Sequence, residues 1–307
     1  MQRYLLTRAL ASLITFWLII TLVFFLARLA PGGPFDGERR LPPEVEANLL
    51  AAYSLDQPLP LQYLDYLAML ASGDLGPSFK QKDFTVGELI SAGLPVSLTI
   101  GIMALGLALL GGVTLGTRAA LRPGSLSDSL IMGFTNLGLA VPAIVLAPLA
   151  VLVFAVWLRW LPAGGLGGAT HLVLPTITLA LPFMAAIARL TRGSVAETLR
   201  APFVMTALAK GLRRGRLLRR HVLPQALLPV VTFLGPAAAG LLTGSVVIEQ
   251  VFELPGIGRY FIQGALNRDY TLVMGVVVVY AAFILSFNLL VDLCYARLDP
   301  RVRLGAS

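Results

Sequence analysis

Three observations predict an all-α integral membrane protein with six transmembrane helices. The chain of 307 residues is 57% hydrophobic and only 13% charged, about half the charged content of soluble domains. Six stretches contain no Asp, Glu, Lys or Arg: 9–27, 89–117, 129–158, 160–188, 221–248 and 270–291. A helical crossing needs about 20 apolar residues, so each stretch holds one span and none holds two with a turn between them. A water-soluble bundle would carry charges every turn or two on its wet faces, which these stretches lack. The third observation is the asymmetry of the basic residues. Six alternating spans put both termini, the 118–128 turn and the 189–220 loop on one side, and that side holds 16 of the 24 Lys and Arg residues. Positively charged loops stay cytoplasmic, which sets both termini inside.

The first apolar stretch follows Arg3 and Arg8 and could imitate a secretory signal. Its 19 charge-free residues exceed a signal's apolar region, and Arg28-Leu-Ala-Pro-Gly-Gly is no small-x-small cleavage site, so it reads as an uncleaved span. The segment from Arg28 to Glu88 carries nine acids, is rich in Pro and Gly, and then turns amphipathic. Pro43 suits a first helical turn and Gly73 a helix end, which predicts two short helices outside the membrane. Such a segment is either a connector lying on the surface or a rim that receives a partner. Pro142 and Pro148 in the third stretch, and Pro175 and Pro182 in the fourth, free backbone carbonyls and bend their helices. Bent helices line a pathway or simply pack. The fifth stretch is rich in small residues, from Gly235 through Ala237, Ala238, Ala239, Gly240 and Gly244 to Ser245, which suit either close helix contact or a pore wall.

Several chemistries are excluded. The only lysines are Lys80, Lys82 and Lys210, and none follows a glycine, so there is no phosphate-binding loop. No ionisable residue lies deep in a span, where ion-coupled carriers keep one; Glu249 and Asp292 sit near span ends. The chain thus carries no motor of its own. His171 and His221 are the only histidines, and no Cys/His cluster exists to hold a metal. The lone Cys294 can form no internal disulfide and reads as a small buried hydrophobe. An intramembrane serine protease built on Ser245 and His221 fails on pattern, because Val247 stands where a nucleophile elbow needs its second glycine. The net charge of +8 is first a topology signal, since the arginines sit between spans, and nucleic acid is not an expected partner.

One feature stands apart. Met205 to Pro224 carries Lys210, five arginines between Arg213 and Arg220, and His221, with no acid. Pro202 fits a first helical turn, Gly211 fits the left-handed position that ends a helix, and Pro224 is placed to stop a second segment. The expected form is helix, tight turn, helix, with Phe203, Val204, Ala207 and Leu208 on one apolar side and Leu217, Leu218 and Val222 on another. Anionic lipid headgroups attract such a segment by about 1 kcal/mol per basic residue. A membrane-lying helix, however, gains by being long and continuous, and the glycine hinge favours a compact protrusion that enters a groove on a soluble partner. With no motor in the chain, a cytoplasmic partner that consumes ATP is the economical inference.

The residues that follow resemble a known family. Gly211, nine further residues and His221-Val222-Leu223-Pro224 resemble the cytoplasmic EAA loop of ABC importer permeases, with Met205-Thr206-Ala207 where that pattern has Glu-Ala-Ala. "RLAPGGPFDGERRLPPEVEANL", "GDLGPSF", "WLPAGG", "ARLTRGS", "TGSVVIEQVFELPGIG", "GALNRDY" and "LDPRVR" extend the resemblance over the whole chain, to the B-type permease subunits of bacterial oligopeptide importers within the peptide/nickel permease family.

That resemblance implies a type I ABC importer permease fold in the bacterial inner membrane. It implies as partners a homologous C-type permease, two ATPase subunits that bind ATP and Mg, a periplasmic peptide-binding protein and membrane lipid, with no cofactor in this chain. It divides the chain into a first segment and span (1–30), a periplasmic loop (31–94) near the binding protein, and a five-helix core (95–307) containing the coupling loop 193–224. Thr206, Ala207, Lys210, Gly211, Leu212 and Pro224 fall in the motif that couples to the ATPase. For the pathway, Thr243 and Ser245 offer hydroxyls, and Glu249 either meets a peptide's amino terminus or pairs with Arg259 or Arg268. Relatives that import dipeptides, glutathione or nickel share the pattern, and an ATP-independent channel is the alternative outside the family.

Overall fold

The computed structural model describes residues 2–29, 54–81 and 83–298. Among these the regular structure is helical, in the order α1 (Gln2–Leu29), α2 (Leu59–Ala71), α3 (Val86–Leu121), α4 (Leu126–Ala140), α5 (Ala143–Ala150), α6 (Ala169–Thr198), α7 (Pro202–Ala209), α8 (Arg214–Leu217), α9 (Leu223–Ala226), α10 (Leu228–Val251), α11 (Ile257–Leu266) and α12 (Tyr270–Leu298). π-helical turns extend α5 over Val151–Trp157 and join α8 to α9 over Leu218–Val222.

Five of these helices, α1, α3, α6, α10 and α12, are each long and apolar enough to cross a membrane. The remaining apolar stretch is the pair α4 and α5, bent by 106°; counted as one span it brings the total to six. Pro142, expected to bend a continuous helix, breaks it. The proline ring disfavours helical geometry at the preceding residue, and Val141 is accordingly extended at φ −92° and ψ 118°. Pro148, Pro175 and Pro182 lie within α5 and α6.

The start of α3 is set by a capping box. The Thr85 hydroxyl accepts the Glu88 N–H at 3.2 Å while the Glu88 carboxylate accepts the Thr85 N–H at 2.8 Å. The helix therefore begins before the charge-free stretch, and the division at 94/95 falls inside it. The helix expected near Pro43 and the tail beyond Leu298 lie outside the described residues.

Burial is graded across the bundle. Half of the most apolar window of α6 is buried against 11% for α1, so α6 is central and α1 peripheral, with Leu10, Leu13, Trp17 and Leu22 facing outward. The most extensive contact joins α3 to α6. It rests on absent side chains: a Cβ at Gly116 would lie 2.7 Å from the Thr191 Cβ and 3.0 Å from the Arg192 nitrogen. Lipid is as apolar as leucine, so close backbone approach takes over the role that the hydrophobic effect has in water.

The two ends of the bundle are held differently. At one end Arg8 of α1 pairs with Asp292 of α12 at 3.5 Å, and Gly235 near the start of α10 lies against Asn288. At the other, α2 stacks Tyr66 on Phe24 at 5.4 Å, and burial pushes the Tyr66 hydroxyl up to about 12, so it stays protonated. There too the buried Asp269 carboxylate accepts the Ser78 hydroxyl, the Phe79 N–H at 3.1 Å and the Leu272 N–H at 3.3 Å, pinning the loop after α2 to the start of α12. Cys294, expected to be buried, is exposed on α12; a thiol is apolar enough to sit on a lipid-facing surface.

Gly116→Val is expected to force α3 and α6 apart at a cost of about 1–3 kcal/mol. Gly101→Ala, with open space at its Cβ, is the matched control. A thermal melt in detergent with the valine variant unchanged, or with both variants equally lowered, would contradict this account of the contact.

Candidate functional site

The loop between α6 and α10 folds as helix, turn, helix. Pro202 occupies the first turn of α7, where its missing N–H would have no helical partner. At the far end Lys210 is the C-cap, Gly211 takes φ +80°, the Gly211 N–H donates to the Leu208 carbonyl at 2.9 Å, and the Leu212 N–H donates to the Ala207 carbonyl at 3.1 Å. This is a Schellman closure, whose left-handed residue suits glycine because it lacks a Cβ. Nothing lies within 4 Å of a Cβ built at Gly211, so conformation rather than space selects the residue.

Pro224 does not stop the second segment, contrary to the sequence expectation. It lies in the first turn of α9, and the chain is helical from Arg214 through Ala226. An interior proline clashes with the carbonyl four residues back, here that of Arg220. That carbonyl falls in the π turn Leu218–Val222, whose wider winding accommodates the ring.

The loop stands on a base of its own. Val204, Leu217, Val222 and Ala226 are buried with Ala120 at the end of α3 and Val195 of α6, and Ala207, Leu212 and Leu218 pack around them. Of the expected apolar faces, Val204 and Ala207 face this base. Phe203, Met205 and Leu208 stay outside at 37%, 66% and 38% exposure. Thr206 and Lys210 are also exposed, the Thr206 hydroxyl donating back to the Pro202 carbonyl at 3.2 Å. The arginines from Arg213 to Arg220 are exposed as well. The loop thus presents exposed apolar side chains and cations on a buried apolar base shared with α3 and α6.

Ser245 and Glu249 come together in the interior of the subunit, and Thr243 does not join them. Thr243 is exposed and donates to the Ala239 carbonyl at 3.0 Å, whereas Ser245 is buried and donates to the Leu242 carbonyl at 2.7 Å. Glu249 is fully buried and accepts the Gly258 N–H at 2.7 Å, while Ser97 of α3 accepts the Ile257 N–H at 2.9 Å. Two helices therefore supply the caps that α11 lacks in its own sequence, where Gly256 precedes its first turn. Arg259, one of the expected ionic partners, reaches Glu249 through its backbone N–H. His221 is exposed before α10 begins at Leu228, whereas Ser245 is buried in the second half of that helix, so the two do not form the protease arrangement.

Residues to which the sequence gave no role are Asp128 and Arg192, a two-point ion pair at 2.6 Å and 2.7 Å between α4 and α6. The sequence signals were an acid placed directly before an apolar stretch and the place of Arg192 in the "ARLTRGS" segment.

The family model for the binding-protein-dependent transport system inner membrane component matches residues 112–304. The oligopeptide transport system permease protein OppB of Haemophilus influenzae is 48% identical over 305 residues, 99% of this chain and 100% of the relative, and that of Salmonella typhimurium gives the same figures. The dipeptide transport system permease protein DppB of Bacillus subtilis is 42% identical over 304 residues, 99% of each chain. Two solved structures share the fold at 18% identity. An amino acid ABC transporter crystallised with histidines has a TM-score of 0.54 over 69% of this chain and 94% of its own, and the inward-facing MetNI methionine ABC transporter has 0.55 over 69% and 96%. The chain is a multi-pass membrane protein, and it belongs to the family of binding-protein-dependent transport system inner membrane components.

Proposed function

We propose that this chain is a non-catalytic permease subunit of an ATP-driven importer that moves oligopeptides from the periplasm across the bacterial inner membrane. The observation that carries the coupling reading is the Schellman-closed α7, fixed on the ends of α3 and α6 with Phe203, Met205, Leu208 and Lys210 exposed. Exposed apolar side chains beside cations, on a short helix with a buried apolar base, suit a groove in a soluble ATPase better than a flat headgroup layer. The loop end of the bundle is then cytoplasmic, in keeping with its concentration of basic residues. Full-length similarity to permeases named for oligopeptides supports the substrate, ahead of dipeptides because the identity is 48% against 42%.

In this reading a second, homologous permease completes the pathway, two ATPase subunits bind ATP and Mg, and a periplasmic binding protein delivers peptide. ATP closes the ATPases, the coupling loops follow as rigid bodies, and the permeases open outward; hydrolysis returns them inward. Each ligand must favour one state, since one indifferent to state shifts nothing. Thr206, Ala207, Lys210, Gly211 and Leu212 form the coupling element, with Pro224 in its supporting helix. Thr243, exposed on α10, is the pathway candidate; Ser245 and Glu249 act inside the subunit.

The test is ATP-dependent peptide uptake by the complete complex in proteoliposomes. Gly211→Pro fixes φ near −65° and removes the donor to Leu208, so uptake and ATPase co-purification are expected to fall together, while Gly211→Asn, which tolerates the left-handed region, keeps most of both. Unchanged assembly and uptake in the proline variant would reduce the loop to a headgroup anchor. Peptide flux through the chain alone without ATP would establish the channel alternative instead.

Glu249→Gln tests the remaining candidate. A residue that caps α11 needs only an acceptor oxygen, which glutamine keeps, so stability is expected to drop by no more than about 1 kcal/mol. Uptake should fall by one factor for peptides with free and blocked amino termini. A loss confined to free amino termini would put Glu249 in contact with peptide.

A further inference from the structure

We infer that Asp128 and Arg192 form a clasp that makes α4 travel with α6, so that displacement of the 199–227 loop reaches the bent α4–α5 pair. This inference rests on the importer reading above and assigns both residues a positioning role. Arg192 donates through Nε to Asp128 Oδ1 at 2.6 Å and through Nη2 to Asp128 Oδ2 at 2.7 Å. Asp128 is 4% exposed, and its Oδ2 also accepts the Gly124 N–H at 2.9 Å. The carboxylate is thereby joined to α6 and to the turn that connects α3 with α4.

A two-point guanidinium–carboxylate contact fixes rotation as well as separation, unlike a point charge on a flexible stem. Further along the same interface Arg189 donates to the Asn136 side-chain Oδ1, and Gly138 would place a Cβ 3.1 Å from that of Ala185. Three successive rungs therefore hold antiparallel α4 and α6 in one register. Beyond the outermost rung, α6 continues to Thr198, and Val195 is buried with Val204 of α7. A force on α7 is delivered to α6 within one helical turn of Arg192. The same force then reaches α4, which ends at the break before Pro142, and α5, which packs on α6 and α10.

The pair is poor evidence of stability, because the Arg192 side chain is 35% exposed and solvent screens its attraction for Asp128. Its directional geometry is what an apolar pair of the same volume would lack. Replacing the pair with packed apolar side chains should therefore leave a folded protein whose helices slip.

The test uses the complete complex in proteoliposomes with Arg192→Lys and with the double variant Asp128→Leu/Arg192→Met, measuring peptide imported per ATP hydrolysed. Both variants are expected to assemble with basal ATP hydrolysis near wild type, and peptide per ATP should fall by about fivefold or more, the lower bound of typical coupling between sites. Merely lower amounts of folded complex would scale both rates equally and leave the ratio unchanged, and an unchanged ratio overturns the clasp. Failure of both variants to assemble also overturns it, by making the pair a folding element. If the wild-type complex shows no ATP-dependent uptake, the importer reading fails instead, and the two failures are thereby distinguished.

Discussion

The close approach of α3 and α6 is the contact on which the rest of this molecule depends. Inside a bilayer, apolar area is not scarce, and helices associate where their backbones can come near. Gly112 and Gly116 leave no room for a Cβ beside Ile187, Ala188 and Thr191, so α6 is held along its length against α3. With α6 fixed, α4 closes on it through Gly138 and Ala185, and α5 and α10 take their places around it. Because the loop that carries α7 begins where α6 ends, its orientation follows from a packing decision made in the membrane.

That loop shows how a short segment becomes rigid without being long. Its helical segments run over Pro202–Ala209 before the turn and from Arg214 through Ala226 after it, lengths that are marginal alone in water. Burial of Val204, Leu217, Val222 and Ala226 with the ends of α3 and α6 supplies what local propensity does not. The Schellman closure fixes the direction of the chain as it leaves α7, and the π turn lets a proline sit within the returning helix. The cations are left outside by this arrangement, since the inward face is apolar throughout.

Much of this was visible in the residues. Charge-free stretches located the five continuous spans because a lipid-facing helix excludes ionised groups. Gly211 announced its own turn, for a left-handed residue after an apolar helix is a local requirement. The third stretch misled: hydropathy is the same for a bent helix and for two helices at 106°, and only the conformation of Val141 separates them. Pro224 misled for a related reason, since the π turn that accommodates it leaves no mark in composition. Glu249 looked available to substrate or to an arginine, yet its partner is a backbone N–H of α11, a group every residue type but proline possesses.

By itself, then, the sequence determined the solvent this protein lives in, the number of apolar stretches, the asymmetry of charge, and the place and form of the loop between α6 and α10. These are local or compositional properties, set by hydration of charged groups and by backbone sterics within a few residues. Tertiary structure alone decided which helix is central, that Glu249 caps α11, and that Asp128 meets Arg192 across 64 positions of chain. The physical reason is that these depend on how closely two distant backbones approach, a distance that no local pattern of residues encodes.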